Sequence, residues 1–229
     1  MLGIKGQSYE SGLLFRNKVL MKERLQSAGV RVPNFKKIET AADVYTFIQS
    51  SGFPIVIKPV YGSGSVDTAV LTNRQEMLGF LSNGLQDHLE VESFIEGDMY
   101  HIDGLILEGE VVLSWPSRYI NGCLAFQSGR FLASNQLEPA NPLASRLTSF
   151  VQKALDALPV PETMTFHAEV FHTPEDELVF CEIASRTGGA MVREATAQAF
   201  GFDINEVCVR AQCGLKSNIP KGIDKGPTC

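Results

Sequence analysis

Several signals are missing from this sequence, and each absence excludes a class of protein. None of the five cysteines stands in a CxxC pair, and no cysteine or histidine has a partner at zinc-ligand spacing. No block of five Lys or Arg occurs, and the net charge of −6 does not favour nucleic-acid binding. No apolar run approaches the ~18 residues of a membrane span. Residues 1–5 are not followed by the apolar region of a signal peptide, so we expect a cytoplasmic protein.

What the sequence contains is an ordinary mixture for a folded protein. The 229 residues are 44% apolar and 20% charged, which argues against disorder and allows a substantial core. Apolar periodicities alternate between helix and strand without regular βαβ order, which predicts an α+β fold. The predicted helices are 11–29, 40–50, 73–82, 142–158, 190–200 and 204–212. The predicted strands are 53–60, 66–72, 89–95, 99–107, 110–115, 123–126, 131–133, 164–171 and 178–184.

The last two predicted strands place two carboxylates face to face. Residues 174–177 form a four-residue turn, so pairing outward puts Phe171 opposite Phe180 and Glu169 opposite Glu182. Opposed carboxylates repel, and a bound divalent cation removes the repulsion; magnesium prefers one or two carboxylates together with phosphate oxygens. The alternative is a register shifted by one residue, which would turn both glutamates to solvent.

A lysine and a glycine-rich loop form a second candidate site. Lys58 lies in an apolar strand on the same face as Val56, where a lysine must find an anion. The loop that follows, residues 61–65, offers backbone N–H groups and hydroxyls to phosphate oxygens, although most such loops are plain turns. It is not a Walker loop, because the lysine precedes the glycines.

Three further features are ambiguous when taken singly. Lys18 flanks the apolar stripe of the first helix, where a lysine can simply extend its stem along the core edge. Arg186 precedes Gly188 and Gly189, which suits either a phosphate or carboxylate ligand or a surface turn. Residues 92–97 join two predicted units and could either hold adenine in an apolar slot or serve as an ordinary linker.

Taken in order, these residues resemble the ATP-grasp superfamily. The matching stretches are FRNKVLMKERLQSAGVRVP, FPIVIKPVYGSGSVDTAV, VESFIEG, HAEVF and FCEIASRTGG, spanning residues 15–189. The YHIDG segment is most similar to the carboxylate–amine ligase branch, which includes amino-acid ligases. The resemblance implies a small lid subdomain at 51–95 and a larger, mainly antiparallel subdomain at 96–215, with the nucleotide between them. A helical segment at 1–50 and a flexible tail at 216–229 complete the expected organisation.

The resemblance also implies ATP and Mg2+ as cofactors and a role for each matching residue. Lys18 and Lys58 would contact the ATP phosphates, and Glu169 and Glu182 would bind magnesium. Arg186 would stabilise the transferring phosphoryl group, with Lys58 as the second catalytic residue. The remaining expected nucleotide contacts are Gly62, Ser63, Gly64, Ser65, Glu92, Ser93, Phe94, Ile95, Asp98 and His101.

This sequence departs from the family pattern at three places. Met99 stands where many members have an acidic ribose ligand, for which Asp98 or Asp103 could substitute. Ala184 stands where many have a third magnesium ligand, for which Ser185 could partly substitute. The resemblance also implies a further α/β domain before the Lys18 helix, which another domain or chain could replace, and a C-terminal extension after Gly214 that we expect this sequence to lack.

The expected activity is an ATP-dependent ligase that joins a small-molecule carboxylate to an amine through an acyl phosphate. One alternative is a non-catalytic or split ATP-binding module, and another is a bicarbonate-activating enzyme of the biotin-carboxylase type. Arg118, Arg193 and His167 are candidates for holding the substrate carboxylate, although each residue type is more often structural or solvated. A homo-oligomer is compatible with the sequence.

Overall fold

Two antiparallel sheets and seven helices make up the part of the chain described by a computed structural model, residues 6–125, 129–216 and 219. The helices are α1 Tyr9–Leu14, α2 Lys18–Ser27, α3 Ala41–Ser51, α4 Arg74–Ser82, α5 Pro142–Ala157, α6 Val192–Phe200 and α7 Ile204–Gln212. The strands are β1 Phe35–Ile38, β2 Ile55–Pro59, β3 Ala69–Leu71, β4 Leu89–Ser93, β5 Asp98–Leu107, β6 Glu110–Ile120, β7 Ala133–Gln136, β8 Met164–His172 and β9 Leu178–Ala184. Among these residues no helix is both long and apolar enough to span a bilayer.

The small sheet has the strand order β1-β4-β2-β3 and buries one face against α3 and α4. In β4 the alternation is strict, with Leu89 and Val91 in this core and Glu90 and Glu92 on the opposite face. Strand β1 and helix α3 belong to this unit, although both lie wholly or mostly before the expected subdomain boundary at residue 51. The expected boundaries themselves remain a prediction.

The large sheet has the strand order β7-β6-β5-β8-β9 and is packed on both faces. One face lies against α2 and α5, where Leu25 and Val151 are fully buried. The other face is covered at one end by α6 and α7, which pack on Leu105 and Leu113. Next to that cover the same face carries polar side chains and is left open to the small sheet.

The two sheets are joined at a glycine that tolerates no side chain. Gly97, between β4 and β5, has a φ of +151°, and a Cβ built there would lie 2.3 Å from the carbonyl oxygen of His172. The chain therefore crosses from one sheet to the other in close contact with the end of β8. This crossing places the polar faces of both sheets around one space.

Several predicted elements are displaced in the structure. The predicted helix 11–29 is two helices, because the Asn17 side chain accepts from Val19 N and Leu20 N and starts a new helix. Strand β1 was not predicted, and β6 continues to Ile120. Residues 123–125 form a turn rather than the predicted strand 123–126, whose last residue lies outside the described part of the chain. The predicted strand 131–133 is replaced by β7. Of the expected tail, residues 216–229, the structure describes residues 216 and 219.

Candidate functional site

A cleft of about 1630 Å³ lies between the small and the large sheet. Cofactor pockets commonly have volumes of roughly 300–1,000 Å³, so this one has room for a nucleotide and a second molecule. Every residue expected to bind nucleotide or metal, or to act in catalysis, lines it. These residues are Lys18, Lys58, Gly62, Ser63, Gly64, Ser65, Glu92, Ser93, Phe94, Ile95, Asp98, His101, Glu169, Glu182 and Arg186.

The β8–β9 hairpin has the predicted pairing at its functional end and a different pairing at its turn. Glu169 lies opposite Glu182, as predicted, and both line the cleft. The expected Phe171–Phe180 pair is wrong, because the register shifts after Glu169 and Phe180 pairs with Val170 instead. Cys181 is the extra residue of this bulge. The shift turns Phe180 into the core and leaves Glu182 on the cleft side.

Glu169 is held in its ionised form by its neighbours. Tyr119 donates its hydroxyl to Glu169 Oε1 at 3.0 Å, Cys123 Sγ donates to the same oxygen at 3.4 Å, and His167 Nε2 lies 3.6 Å away. Burial alone would raise the pKa of Glu169, but the hydrogen bond and charge of His167 lower it to about 2. A carboxylate kept ionised in this way is suited to binding a cation.

Lys18 connects Glu182 to the glycine-rich loop. Its Nζ lies 3.4 Å from Glu182 Oε2 and donates to the Gly62 carbonyl oxygen at 2.6 Å. The residues just before it hold the same loop, since Arg16 donates to Tyr61 O and Asn17 donates to the Tyr61 hydroxyl. The junction of α1 and α2 therefore anchors the start of the loop beside the paired glutamates.

Four buried side chains form a lysine–glutamate cluster on the small-sheet wall: Lys22, Lys58, Glu90 and Glu92. Lys22 Nζ bonds Glu90 Oε2 at 2.8 Å and also bonds Glu92, while Lys58 Nζ lies 3.0 Å from Glu92 Oε2 and 4.0 Å from Glu90 Oε1. Lys58 is opposite Glu90 in the β2–β4 register. Glu92, expected to hold adenine, therefore binds two ammonium groups with its carboxylate.

The two carboxylates of this cluster differ in their tendency to ionise. Burial and the charge of Glu92 raise the pKa of Glu90 to about 7. Burial would also raise the pKa of Glu92, but Lys22 and Lys58 lower it to about 2. The pKa of Lys58 is raised although its burial alone would lower it, because Glu92 lies beside it. Glu92 thus carries the charge that holds Lys58 in its ammonium form.

Lys22 and Glu90 are site residues that the sequence reasoning missed. A signal for each was present. Lys22 follows Lys18 by four residues and so lies on the same side of α2, while Glu90 precedes Glu92 by two and shares its strand face. Both residues are fully buried, which for charged groups requires partners.

The segment between the sheets presents an exposed aromatic ring and fixed backbone. Phe94 is 42% exposed and lines the cleft, and its backbone N donates to Pro54 O at 3.2 Å. Ser93 Oγ accepts from Asn34 N at 3.1 Å. An apolar side chain beside backbone that is held in place is what a flat heterocycle requires.

Three buried side chains form an imidazole cluster on the large-sheet wall: His101, Asp103 and His167. His101 Nδ1 lies 2.6 Å from Asp103 Oδ2, and His167 Nδ1 lies 2.9 Å from Asp103 Oδ1, which also accepts from Gly188 N at 3.2 Å. Burial lowers the pKa of His167, but Asp103 and Glu169 outweigh it and raise that pKa to about 10. These short separations are hydrogen bonds and leave no space for a metal ion among the three groups.

The two ribose candidates, Asp98 and Asp103, have different surroundings. Both oxygens of Asp103 accept hydrogen bonds, from the two imidazoles and from Gly188 N. Asp98 is half-exposed and pairs with Arg118 at 2.8 Å on the cleft wall. Asp98 is therefore the ribose candidate that the structure leaves available.

The remaining candidate residues differ in the pocket that they line. Arg186 is exposed on the cleft wall and donates to Thr187 O at 2.8 Å. Arg193 binds Asp203 and lines a second, shallower pocket instead of the cleft. Ser185, considered as a substitute magnesium ligand, donates its hydroxyl to Gln7 at 3.0 Å and lines the same second pocket. The cleft thus combines opposed carboxylates, two lysines, a glycine-rich loop and one free guanidinium, which together suit phosphoryl transfer.

A protein-family model described as the ATP-grasp domain matches residues 15–190. The L-arginine-specific L-amino acid ligase of Bacillus subtilis is 26% identical over 216 residues, which cover 89% of this chain and 51% of that protein. The alanine–anticapsin ligase of Bacillus subtilis is 21% identical over 262 residues, covering 100% of this chain and 53% of that protein.

Solved structures share the fold. The L-amino acid ligase from Bacillus licheniformis superimposes with a TM-score of 0.72 at 21% identity, over 90% of this chain and 50% of that chain. The carboxyaminoimidazole ribonucleotide synthase from Aspergillus clavatus, complexed with ATP, gives a TM-score of 0.76 at 17% identity, over 93% and 55%. These likenesses confirm the predicted α+β fold, and the chain spans about half the length of the relatives it matches.

Proposed function

The chain belongs to the ATP-grasp family, and from this premise we propose that it is an ADP-forming ligase that joins a carboxylate to an amine. One observation carries the proposal. Glu169 and Glu182 face each other across the β8–β9 hairpin in the same cleft as Lys18 and Lys58. The two similar amino-acid ligases support the reaction class, and they make amino acids the first substrates to test.

In this proposal ATP lies in the cleft with its base near the segment between the sheets. Phe94 and Ile95 would contact adenine, with backbone atoms from Glu92 to Ile95 at its edge, and Asp98 would bind the ribose. Lys18 and Lys58 would bind the phosphates, under the loop of Gly62, Ser63, Gly64 and Ser65. Glu92 would act through Lys58, because it keeps that lysine charged.

Magnesium fits the donor set at the hairpin. Glu169 and Glu182 supply carboxylate oxygens, the ligand type that magnesium prefers, and Glu169 is already ionised. When bound there, the ion would neutralise charge on the ATP phosphates. Arg186 would contribute a further positive charge at the transferring phosphoryl group, and the cleft would hold both substrates in the orientation needed for attack.

The proposed reaction proceeds in two transfers. A carboxylate oxygen of the first substrate attacks the γ-phosphorus of ATP, the bond to the bridging oxygen breaks, and ADP leaves. The amine of the second substrate then attacks the carbonyl carbon of the acyl phosphate, a C–N bond forms, the C–O bond to phosphate breaks, and inorganic phosphate leaves with the proton that the nitrogen gives up. Each step relies on positioning and on neutralising phosphate charge, and the cleft supplies cationic groups for the second purpose.

The test is ADP release by the purified chain with ATP and Mg2+, measured against the standard L-amino acids singly and in pairs. We expect at least one pair to stimulate ADP release with amide formation. The variant Glu182→Gln should lower this turnover by about a hundredfold or more, because even outer-shell partners of a metal typically cost roughly 10–100-fold. Glu175→Gln, in the exposed turn of the same hairpin, is the matched control and should match wild type.

Two results would contradict the proposal. If no carboxylate stimulates ADP release, the ligase assignment fails for this chain. If Glu182→Gln remains fully active, the assigned role of the paired carboxylates fails. Stimulation by bicarbonate alone would instead indicate a bicarbonate-activating enzyme.

A second candidate is an ATP-binding module that works only with another domain or chain. This candidate is favoured because the chain matches only part of its relatives; the match to the L-arginine-specific ligase covers 51% of that protein. Calorimetry would then show ATP binding with magnesium, while ADP release would require the added partner. Turnover by this chain alone would exclude this candidate.

A further inference from the structure

A continuous row of polar side chains crosses the large sheet on the side of the cleft. The strand registers align Glu182 with Glu169, Glu169 with His101, His101 with Ser117, and Ser117 with Gln136. Aligned partners on neighbouring strands share a face of the sheet, and all five residues line the cleft. The two glutamates occupy one end of the row, and the other three residues have no role in the function proposed above.

Among His101, Ser117 and Gln136, two side-chain atoms are buried and lack a hydrogen-bond partner. Within the described part of the chain, His101 Nε2 and Gln136 Oε1 are buried side-chain atoms without a hydrogen bond. His101 is 2% exposed and Ser117, between them, is 4% exposed. Buried polar atoms in native proteins are almost always bonded, so two such atoms on one row indicate groups that bind a ligand.

The hydrogen bonds of the imidazole cluster determine what His101 can bind. A carboxylate accepts only, so the proton shared between His101 Nδ1 and Asp103 Oδ2 is carried by the imidazole. In the neutral imidazole this arrangement leaves a lone pair on Nε2, which makes that atom an acceptor. Gln136 Oε1 is also an acceptor. The negative charge of Asp103 is offset by the cationic ring of His167 beside His101, so the ligand that fits is defined by its N–H donors.

We infer that the row His101–Ser117–Gln136 is the subsite for the amino group of the amine substrate. His101 Nε2 accepts an N–H bond from that group, and Gln136 Oε1 accepts from a second donor of the same molecule. His101 lies one strand spacing, about 4.8 Å, from Glu169, which places the amine beside the site of phosphoryl transfer. Gln136 lies two strands farther out, so the molecule spans about 10 Å of the sheet.

This inference rests on the proposed ligase function and changes the role of one residue. His101 was expected among the nucleotide contacts, but its ring lies between Tyr119 and His167, with centroid separations of 4.6 Å and 5.3 Å. His101 therefore becomes a substrate-binding residue, positioned by Asp103.

The first test does not depend on activity. Long-range 15N–1H spectra of the imidazoles in the full chain should show His101 with its proton on Nδ1. Ethylammonium added up to about 100 mM should shift the Nε2 resonance, since a ligand of three heavy atoms binds no tighter than roughly 1 mM. Tetramethylammonium, which has the same charge and no N–H donor, should shift it far less.

The inference is overturned by any of three outcomes in these spectra. The first is a proton on Nε2 of His101. The second is an equal response to both cations, which would show attraction by charge alone. The third is no response to ethylammonium, in which case the atom binds a water molecule only. None of these outcomes bears on whether the chain activates a carboxylate, so the two proposals are separable.

The second test separates the two half-reactions. Hydroxylamine traps an acyl phosphate as a hydroxamate, and this assay shows carboxylate activation without the amine subsite. For His101→Phe, which keeps a ring between Tyr119 and His167, we expect the KM for the amine to rise about tenfold to a hundredfold. Hydroxamate formation should fall much less. His172→Phe, on the same sheet but outside the cleft, is the control.

Three kinetic results would each contradict a different part of the two proposals. Absence of hydroxamate in wild type with every amino acid counts against the proposed ligase and leaves the spectra to decide the subsite. Equal losses in hydroxamate formation and amine ligation for His101→Phe overturn the subsite, because they show a general defect of the cleft. Gln136→Leu should raise the amine KM without affecting the tautomer of His101, and an unchanged KM removes Gln136 from the subsite.

Discussion

The two walls of the cleft solve the problem of buried charge in different ways. On the small sheet, Lys22 and Lys58 are paired with Glu90 and Glu92, and each ammonium contacts carboxylates of the same cluster. On the large sheet, the Asp103 carboxylate is hydrogen-bonded to one nitrogen of each of two imidazoles, His101 and His167. We call the first cluster closed, because both ammonium groups are held within it, although Glu90 Oε1 lacks a hydrogen bond, and the second open, because the far nitrogen of each ring is not used within it.

The difference follows from the side chains themselves. An ammonium is a point charge with three donors and can bind several carboxylates at once, so lysines and glutamates neutralise each other locally. An imidazole has two nitrogens on opposite sides of a rigid ring, so a carboxylate that binds one fixes the direction of the other. The comparison teaches that the closed cluster stabilises and positions Lys58, whereas the open cluster presents atoms to a ligand.

Removal of one member of the closed cluster is expected to have the greatest effect on stability. Lys22→Met leaves two buried carboxylates without their shared ammonium, and we expect the free energy of unfolding to fall by about 3–5 kcal/mol. Urea unfolding followed by circular dichroism measures the change. Lys153→Met, at an exposed position of α5, should change it by no more than about 0.5 kcal/mol. A loss for Lys22→Met no larger than that of the control would show that the cluster does not stabilise the fold.

A smaller effect is expected from crowding the open cluster. A Cβ at Gly188 would lie 2.7 Å from His167 Nδ1 and 2.9 Å from Asp103 Oδ1, so Gly188→Ala must displace these groups. We expect a loss of about 1–3 kcal/mol in the free energy of unfolding. Gly189→Ala has no atom within 4 Å of its new Cβ and should be nearly neutral. Equal stability of the two variants would mean that the imidazole cluster adjusts without cost.

The smallest expected effect is the pH response of the closed cluster. The pKa of Glu90 is raised from 4.5 to about 7, so the folded state binds a proton more tightly than the unfolded state. Its contribution is fully present below pH 4.5 and is lost as the pH rises toward 7, by about 1 kcal/mol per pH unit. Urea unfolding at about pH 5 and about pH 6 measures it.

Glu90→Gln is the control for this response. The glutamine cannot ionise, so the decline in stability between these pH values should disappear from this variant while the groups outside the cluster continue to titrate. An unchanged decline would assign the pH response to another group. A rise in wild-type stability with pH would contradict the direction given for Glu90.

The arrangement of the cleft could be predicted in part from the sequence. The side of Lys58 followed from strand alternation, whereas Glu169 meets Glu182 as expected only because the bulge at Cys181 offsets a turn that is one residue shorter than predicted. The bulge at Cys181 could not be predicted, because nothing local distinguishes a register shift from continued pairing. It was decided by Phe180, which reaches the core only if the register moves.

What the sequence by itself determined is the order of the motifs, the α+β class and which residue types meet phosphate and metal, because these depend on local periodicity and side-chain chemistry. Only the tertiary structure decided which residues are neighbours across strands and walls. Lys22 meets Glu90 over a separation of 68 positions, and His167 meets Asp103 over 64. Such pairs form because burial forces each charged group to find a partner, and only the packing of sheets and helices brings the partner within reach.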